Sequence, residues 1–463
     1  MGRGIAIRGL RAFRGRDGFP NISTSFRRIG PHYGRRMALP DFIEIVPPEQ
    51  PVSAEVTVPG SKSLTNRALI LAALSDGETA LRGALWSEDT QVMVACLREL
   101  GFMINVSPDP REICNRTITV YGGGGRIPPG GTTNRPLELF AGNAGTVARF
   151  LTAMTCLGTG VYRLDGTARM RERPQESLFK ALRSLGYRLD ADSNRLPVLV
   201  HGAGRRRGKT QVNIEDSSQF ASALLLCAGT GGWEVEVKGE NAEESPYVSM
   251  TTQLSAGFPR SGGEFRIEPD ASSGSYFHAA GFLLGSSGSD EAEIRVAHWP
   301  TSGWQVDGKF PEYLPLPKTV SRRVDLGDSI MTAIVLAPFG RHEVLFTELG
   351  RLRVQECERV VALRTELTKC GARVVESDDS LTIAPSKLHG AEIATYDDHR
   401  MAMCFAILAL KVPGIKIKNP ACVKKTFPDF FQKLADSPPS GLGATIVNPG
   451  TGLVLTGRDL FAE

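Results

Sequence analysis

Cationic side chains stand at the starts of two apolar, helix-like segments of this chain. Lys62 and Arg67 open one such segment, and Arg400 opens another. A helix N-terminus exposes unpaired N–H groups and a partial positive charge, which disfavours a nearby cation. A residue that only caps the helix N-terminus is usually Ser, Asp or Asn. These cations therefore predict an anion-binding site built on helix starts.

Other residues occupy equivalent positions, and any single Ser or Asp among them also fits simple helix capping. They are Ser63, Asn143, Gly145, Ser217, Ser218, Gln219, Asp328 and His399. Further cations stand in loop-like sequence at Arg173, Arg359, Lys424 and Lys425. If Asp328 and Glu356 line the same cleft, they are candidates for proton transfer.

Searches for nucleotide and metal motifs fail. Gly60-Ser61-Lys62-Ser63 lacks the second glycine of a phosphate-binding loop, and the glycines at 229–232 end a helix rather than open one. Neither His399 nor the eight cysteines have the spacing of metal ligands. We therefore predict neither nucleotide nor metal chemistry, and the scattered cysteines favour a reducing compartment, the cytoplasm.

Charge is unevenly distributed along the 463 residues. Residues 1–36 hold nine arginines and one aspartate although the whole chain carries only +4, so the remainder is net negative. Such a leader fits a transit peptide or a nucleic-acid arm, or else a disordered extension or translation begun upstream of Met37. We expect the disordered extension, no nucleic-acid partner and, lacking a long apolar run, no membrane association.

One arrangement recurs along the chain: a polar loop opens an apolar run of helical length that ends at Gly or Pro. These six runs begin near Asn66, Asn143, Ser218, Ser273, Asp328 and His399. Each is apolar nearly all round, which predicts a buried helix. Strand-like pieces lie between them, at Ala54–Val58, Arg116–Tyr121, Val198–His201, Glu234–Lys238, Glu264–Ile267, Arg373–Glu376, Leu381–Ile383 and Ile415–Lys418. Amphipathic outer helices are predicted at Thr90–Leu100, Gln175–Leu185 and Gln355–Cys370.

Linkers near Val58–Gly60 and Pro269 divide the chain into two α/β domains. We expect a disordered extension at 1–41, one discontinuous domain from 42–59 and 269–436, a second domain at 60–268, and an appended tail at 437–463.

The chain resembles the enolpyruvyl transferases over roughly residues 42–437. The segments that carry the resemblance are Pro59 to Ala68, Gly142 to Thr146 with Arg149, Met170 to Pro174, Ser217 to Phe220, Asp270 to Ser273, Asp328 to Thr332, Asp398 to Phe405 and Lys425 to Pro428. The resemblance implies two domains, each of three α/β units, that close over substrate. It also implies the reaction: the enolpyruvyl group of phosphoenolpyruvate moves to the 5-hydroxyl of shikimate 3-phosphate, on the route to chorismate and aromatic amino acids. The resemblance further implies that no metal and no organic cofactor takes part.

The resemblance further assigns roles to residues of this sequence. The implied catalytic residues are Lys62, Asp328, Glu356 and His399. Shikimate 3-phosphate would be bound by Lys62, Ser63, Arg67, Ser217, Ser218, Gln219, Tyr247, Asp328, Arg351 and Gln355. Phosphoenolpyruvate would be bound by Lys62, Asn143, Gly145, Arg173, Gln219, Arg359, Arg400 and Lys425.

Two departures from the family pattern concern the acceptor. The family usually has Asn and Lys where this chain has Arg351 and Gln355, and we expect Arg351 to replace the lost cation. A serine that the family has shortly before Pro-Tyr aligns with Glu244 or Ser245, depending on a gap ahead of Pro246-Tyr247.

Gly145 has no side chain and so leaves room in the phosphoenolpyruvate pocket. This predicts that glyphosate inhibits the protein.

Two alternatives compete with this interpretation. The first is an enolpyruvyl transferase that acts on a UDP-sugar or nucleoside phosphate, against which stands the lack of Cys in Arg169–Pro174. The second is a non-catalytic phosphometabolite-binding protein, against which stand Lys62, Asp328 and Glu356. We expect a monomer.

Overall fold

A computed structural model describes residues 39–49, 52–215, 217–239, 245–285 and 293–462. The predicted arginine-rich extension lies outside these ranges up to residue 38, as does Glu244. No helix within the described ranges is long and apolar enough to span a bilayer.

The described residues form twelve α-helices and twenty-one strands. The helices are α1 Lys62–Leu74, α2 Glu88–Glu99, α3 Gly145–Cys156, α4 Ala168–Glu172, α5 Glu176–Ser184, α6 Ser218–Gly231, α7 Ser245–Gly257, α8 Ala271–Leu284, α9 Ile330–Leu336, α10 Arg359–Lys369, α11 His399–Ala409 and α12 Phe430–Ala435. The strands are β1 Phe42–Val46, β2 Ala54–Val56, β3 Asp76–Leu85, β4 Ile104–Pro108, β5 Asn115–Gly123, β6 Leu137–Phe140, β7 Thr159–Asp165, β8 Arg188–Asp190, β9 Val198–Ala203, β10 Gly208–Asn213, β11 Trp233–Lys238, β12 Gly263–Arg266, β13 Ile294–Val296, β14 Thr319–Ser321, β15 Val344–Thr347, β16 Arg373–Ser377, β17 Ser380–Ala384, β18 Glu392–Ile393, β19 Lys416–Lys418, β20 Thr445–Val447 and β21 Val454–Leu455.

Three four-stranded sheets repeat one arrangement of strands. Their orders are β12-β3-β5-β4, β6-β7-β9-β8 and β14-β15-β17-β16. In each sheet the first two strands are parallel and the other pairs antiparallel. A buried helix precedes the second strand, and an outer helix follows it. The predicted α/β fold of repeated units is therefore confirmed.

Helices from successive units pack together at the centre of each half of the molecule. α1, α3 and α6 contact one another, and so do α8, α9 and α11. All twelve residues of α3 are buried, as expected for a helix that is apolar nearly all round. These are the six predicted buried helices, each beginning within four residues of its predicted start.

The two helix groups belong to separate hydrophobic cores. One core draws on residues 39–58 and 276–462, and the other on residues 64–267. The chain passes between them twice, side by side, where Gly60 forms a bridge with Pro269. A Cβ on Gly60 would lie 1.9 Å from the carbonyl oxygen of Gly83, so only glycine fits. These observations support the predicted division into domains, whose boundaries stay a prediction.

The C-terminal segment differs from the appended tail that we predicted. β20 pairs with β1 and β21 pairs with β20, in the five-stranded sheet β18-β19-β1-β20-β21. Leu442, Ile446 and Leu460 are fully buried in the core. The prediction was wrong because strands of two or three residues are too short to show alternation in sequence. Leu39 is buried as well, although we predicted a disordered extension up to residue 41.

Two units have only two-stranded sheets among the described residues, β10-β11 and β2-β13. After β13 the chain forms a 3-10 helix over Val306–Tyr313. This helix packs against α8 and brings its first turn to the cleft described next.

Candidate active site

A cleft of about 770 Å³ is lined by residues from both hydrophobic halves. Seventeen of the eighteen predicted site residues line it: Lys62, Ser63, Arg67, Asn143, Gly145, Arg173, Ser217, Ser218, Gln219, Tyr247, Asp328, Arg351, Gln355, Glu356, His399, Arg400 and Lys425. The exception is Arg359, which is only 1% exposed and lies behind the cleft wall. Helix starts from separate units thus converge on one concave surface.

Helix α1 contributes Lys62 and Arg67 in different ways. Lys62 begins the helix, and its Nζ lies 3.2 Å from an oxygen of Asp89. Arg67 is buried one turn later and donates hydrogen bonds to Thr251 at 2.7 Å and Ser222 at 3.0 Å. In this structure Arg67 therefore braces α1 against α6 and α7, while still reaching the cleft lining.

The start of α3 lies directly beneath an arginine. Gly145 is the first residue of the helix, and Nη1 of Arg173 donates to the carbonyl oxygen of Asn143 at 3.3 Å. Burial lowers the pKa of Arg173 from its ordinary value, which reflects the cost of removing a guanidinium from water. A guanidinium in this position is a strong partner for a ligand anion.

The start of α6 presents two buried hydroxyl groups to the cleft. Ser217 caps the helix and accepts a hydrogen bond from the backbone N–H of Gln219 at 3.3 Å, and Ser218 follows it. Arg149 donates to the side-chain oxygen of Gln219 and lies 3.5 Å from the hydroxyl of Ser217. The hydroxyls, the helix N-terminus and a nearby guanidinium together suit a phosphate group.

Asp328 is surrounded by arginines. Its carboxylate lies 3.1 Å from Arg400, 3.2 Å from Arg322 and 3.8 Å from Arg359. Burial pushes the pKa of Asp328 upward, but the three guanidinium groups outweigh it and hold the pKa well below its ordinary value. The nearby Asp328 charge and burial together raise the pKa of Tyr247.

Glu356 and His399 form the other titratable part of the cleft. Glu356 contacts Lys425 at 2.8 Å and Arg359 at 2.9 Å. These cations hold its pKa well below the ordinary value although burial opposes them. Burial lowers the pKa of His399 well below its usual range, so the imidazole is neutral near pH 7. Among the described residues its Nδ1 has no hydrogen-bond partner.

Arg359 holds the wall together behind these groups. Its guanidinium binds Asp398 at 2.7 Å, and Asp398 also caps α11 by accepting the Arg400 N–H at 2.8 Å. Tyr396 and Asp397 just before this cap have φ values of +56° and +55°. Two left-handed non-glycine residues in succession are strained, and they set the direction in which His399 and Arg400 enter the cleft.

Sequence reasoning missed several lining residues, among them Asp89, Arg149, Arg169, Asp270, Gln305 and Asp307. Arg149 and Asp270 lie within the segments that carry the family resemblance. That resemblance could have identified them as site residues. Asp307 sits in a stretch with no recognisable pattern.

One group of potential metal ligands occurs among the described residues, outside the cleft. Glu112, Cys114 and Asp429 bring one ligand atom each within 4.8 Å of one another. Nζ of Lys433 lies 3.1 Å from Glu112 and 3.7 Å from Asp429, so an ammonium group already supplies the positive charge there. The expected absence of a metal stays a prediction.

Comparison of the sequence with known proteins shows which family this chain resembles. The sequence profile described as EPSP synthase (3-phosphoshikimate 1-carboxyvinyltransferase) matches residues 46–259 and 318–434. The chain is 36% identical over 435 residues to the 3-phosphoshikimate 1-carboxyvinyltransferase of Trichormus variabilis, covering 85% of this chain and 98% of that protein. It is also 36% identical to the protein of the same name from Opitutus terrae, covering 86% and 98%.

Solved structures show the same fold. EPSP synthase from Acinetobacter baumannii superposes with a TM-score of 0.71 at 20% identity, over 88% of this chain and 100% of that one. The enolpyruvyl transferase NikO from Streptomyces tendae superposes with a TM-score of 0.60 at 16% identity, over 88% and 98%.

Proposed function

The chain belongs to the EPSP synthase family, and on that premise we propose how its cleft performs the family reaction. It is a 3-phosphoshikimate 1-carboxyvinyltransferase: it moves the carboxyvinyl group of phosphoenolpyruvate to shikimate 3-phosphate and releases phosphate, on the route to aromatic amino acids. The observation that supports a residue-level account is the convergence of cations from several units on one cleft. Two phosphates and two carboxylates brought together require such a set.

Phosphoenolpyruvate binds between the start of α3 and the start of α11 in this proposal. Its phosphate and carboxylate are held by Lys62, Arg173, Arg400 and Lys425, with the backbone at Asn143 and Gly145 close to the ligand. Arginines suit both anions because the guanidinium fork donates two parallel hydrogen bonds. Arg359 acts from behind, through its contacts with Glu356 and Asp398.

Shikimate 3-phosphate binds at the start of α6 in this proposal. Ser217 and Ser218 receive the 3-phosphate, Gln219 lies against the ring, and Ser63, Arg67 and Tyr247 complete the pocket. Gln355 replaces a lysine of the family pattern, and its amide lies 3.5 Å from Asp328. Arg351 lines the same cleft and supplies the cation that this replacement removes.

Asp328 accepts the proton of the 5-hydroxyl as its oxygen attacks C2 of phosphoenolpyruvate. Arg400, one of the arginines that hold down the pKa of Asp328, is also a proposed anion ligand. Once phosphoenolpyruvate shares the charge of Arg400, less of that charge stabilises the Asp328 carboxylate, so its basicity rises. The same argument applies to Glu356, whose partner Lys425 also binds the ligand.

The addition is completed by a proton that Glu356 and Lys62 deliver to the methylene carbon, with the neutral His399 nearby. In the elimination that follows, this carbon returns a proton to Glu356 or Lys62, a double bond forms between it and C2, the C2–O bond to phosphate breaks, and phosphate leaves. No metal or organic cofactor enters the proposal. Each assisted proton transfer contributes about 10²–10⁴-fold to the rate.

Phosphate release with phosphoenolpyruvate and shikimate 3-phosphate tests the proposal, with UDP-N-acetylglucosamine and UMP as alternative acceptors. We expect turnover with shikimate 3-phosphate alone. Turnover only with another acceptor would keep the chemistry and overturn the acceptor pocket, whereas no turnover from folded protein would favour a binding protein. We also propose a cytoplasmic monomer, which the eight free cysteines and the self-contained cleft support.

A further inference from the structure

The segment between the two matched regions of the family profile, residues 260–317, contributes a carboxylate to the cleft. Asp307 is the second residue of the 3-10 helix over Val306–Tyr313. It is 4% exposed, and no role has been given to it above. A buried carboxylate is retained only when hydrogen bonds or cations compensate for its desolvation, so its partners show what it does.

The partners of Asp307 lie on both sides of Asp328. Its Oδ1 accepts hydrogen bonds from the backbone N–H of Gly327 at 2.8 Å and of Ser329 at 3.1 Å. The same oxygen accepts the hydroxyl of Ser329 at 2.5 Å. Asp328 therefore lies between two residues whose backbone N–H groups both donate to the same oxygen of Asp307.

The second oxygen of Asp307 links the turn to another element. Its Oδ2 accepts a hydrogen bond from the hydroxyl of Ser272, in the first turn of α8. A Cβ on Gly327 would lie 2.8 Å from Val306 and 3.2 Å from Asp307, so the turn and the 3-10 helix fit closely. The turn that carries Asp328 is thus fixed to two elements remote in sequence.

Ordinary helix capping does not account for this arrangement. Ser329 is the N-cap residue of α9 but makes no side-chain cap hydrogen bond, because its hydroxyl is directed to Asp307 instead. Asp328 has no backbone bond to Asp307; its carboxylate points to Arg322 and Arg400. The carboxylate of Asp307 thus fixes the backbone of residues 327–329 while leaving the Asp328 side chain to the cleft.

We propose that Asp307 is a positioning residue that acts through Asp328, by fixing the turn 327–329 so that the Asp328 carboxylate faces the acceptor hydroxyl from within its arginine cage. This inference rests on the proton-accepting role proposed for Asp328. Displacement of a catalytic group by about 1 Å costs about 10²-fold in rate, so Asp307 matters without touching substrate.

A double-mutant cycle tests the inference on the full chain, with kcat and both KM values measured by phosphate release. Asp307→Ala is expected to lower kcat about 10²-fold with small changes in either KM. Asp307→Asn is expected to keep most of kcat, because its amide oxygen still accepts from Gly327 and Ser329. In an Asp328→Ala background, Asp307→Ala is expected to cause no further loss.

Asp325→Ala is the matched control. Asp325 also brackets a turn, accepting from Tyr313 at 2.7 Å and the Ser321 N–H at 2.8 Å, but its carboxylate accepts no hydrogen bond from residues 327–329. It is expected to lower the melting temperature and leave kcat nearly unchanged. If Asp307→Ala fails to fold, Ser329→Ala removes one hydrogen bond of the bracket and enters the same cycle, with a smaller expected loss of kcat.

Equal fold-losses in the wild-type and Asp328→Ala backgrounds would overturn the inference and leave the role of Asp328 intact. An unchanged kcat in Asp307→Ala would also overturn the inference and leave the role of Asp328 intact. Full activity in Asp328→Ala would overturn both, because Asp307 would then have no catalytic partner to position. Loss of the Asp307 effect in the Asp328→Ala background supports the inference.

Discussion

A Cβ atom on Gly145 would lie 2.9 Å from Nη2 of Arg173. Real Cβ atoms do not approach a nitrogen so closely, so any side chain at residue 145 must displace this guanidinium or the start of α3. Arg173 is one of the cations proposed to hold phosphoenolpyruvate. The space beside Gly145 is therefore part of the ligand pocket.

Gly145→Ala is expected to raise KM for phosphoenolpyruvate and to weaken glyphosate inhibition, each by about tenfold, or about 1.4 kcal/mol. Wild-type protein is expected to be inhibited by glyphosate, and inhibition of phosphate release measures both effects. Gly257→Ala is the control, because a Cβ there meets nothing within 4 Å. A wild-type rate unchanged in millimolar glyphosate would contradict the prediction.

Arg351→Ala is expected to raise KM for shikimate 3-phosphate and to leave KM for phosphoenolpyruvate nearly unchanged. A direct charged hydrogen bond contributes about 1.5–3 kcal/mol, which corresponds to roughly 10- to 100-fold in KM. Arg364→Ala is the control, since Arg364 pairs with Glu376 at 2.9 Å and does not line the cleft. An unaltered KM for shikimate 3-phosphate would show that Arg351 does not replace the lost lysine.

Asp429 is expected to make folding stability depend on pH. Burial, and then the charge of Glu112, raise its pKa from 3.8 to about 7 against the opposing effects of Lys433 and Cys114. Cys114 donates to Asp429 at 2.9 Å, and Lys433 also donates to Thr57 at 2.9 Å. Because the folded pKa lies above the unfolded one, the stabilisation is complete below pH 4 and is lost as pH rises to 7.

Melting temperatures measured from pH 4 to 8 test this dependence. Asp429→Asn is expected to remove the component of stability that falls between pH 4 and 7, because the amide does not titrate. The exposed Asp436→Asn is the control and is expected to follow the wild-type curve. Identical slopes for wild type and Asp429→Asn would rule out Asp429 as the source.

Ile446→Ala is expected to lower the free energy of unfolding by about 2–5 kcal/mol. Ile446 is fully buried and pairs with Ile45 across β20 and β1. Chemical denaturation measures the change, and Thr445→Ala on the exposed side of the same strand is the control. Equal stability for both variants would indicate that the C-terminal segment is a loosely attached tail after all.

The sequence by itself determined the features whose causes are local. Six helices apolar on every side have to be buried wherever they lie, and cations at helix starts indicate an anion site because they oppose the helix dipole. All eight predicted strands are present, with ends shifted by no more than two residues. The helix-start motifs, the loop cations and the family resemblance together identified seventeen residues that line the cleft.

Only the tertiary structure decided which distant groups meet. Arg149 contacts Gln219 across 70 positions, and Cys114 contacts Asp429 across 315. Arg359, expected among the cleft cations, pairs instead with the buried Asp398. Asp307 brackets the turn around Asp328 from a stretch without any motif. The groups that a helix N-terminus presents come from the few residues that follow it in sequence. The environment of a buried charge depends instead on side chains that folding brings together from distant positions, and local sequence does not encode those contacts.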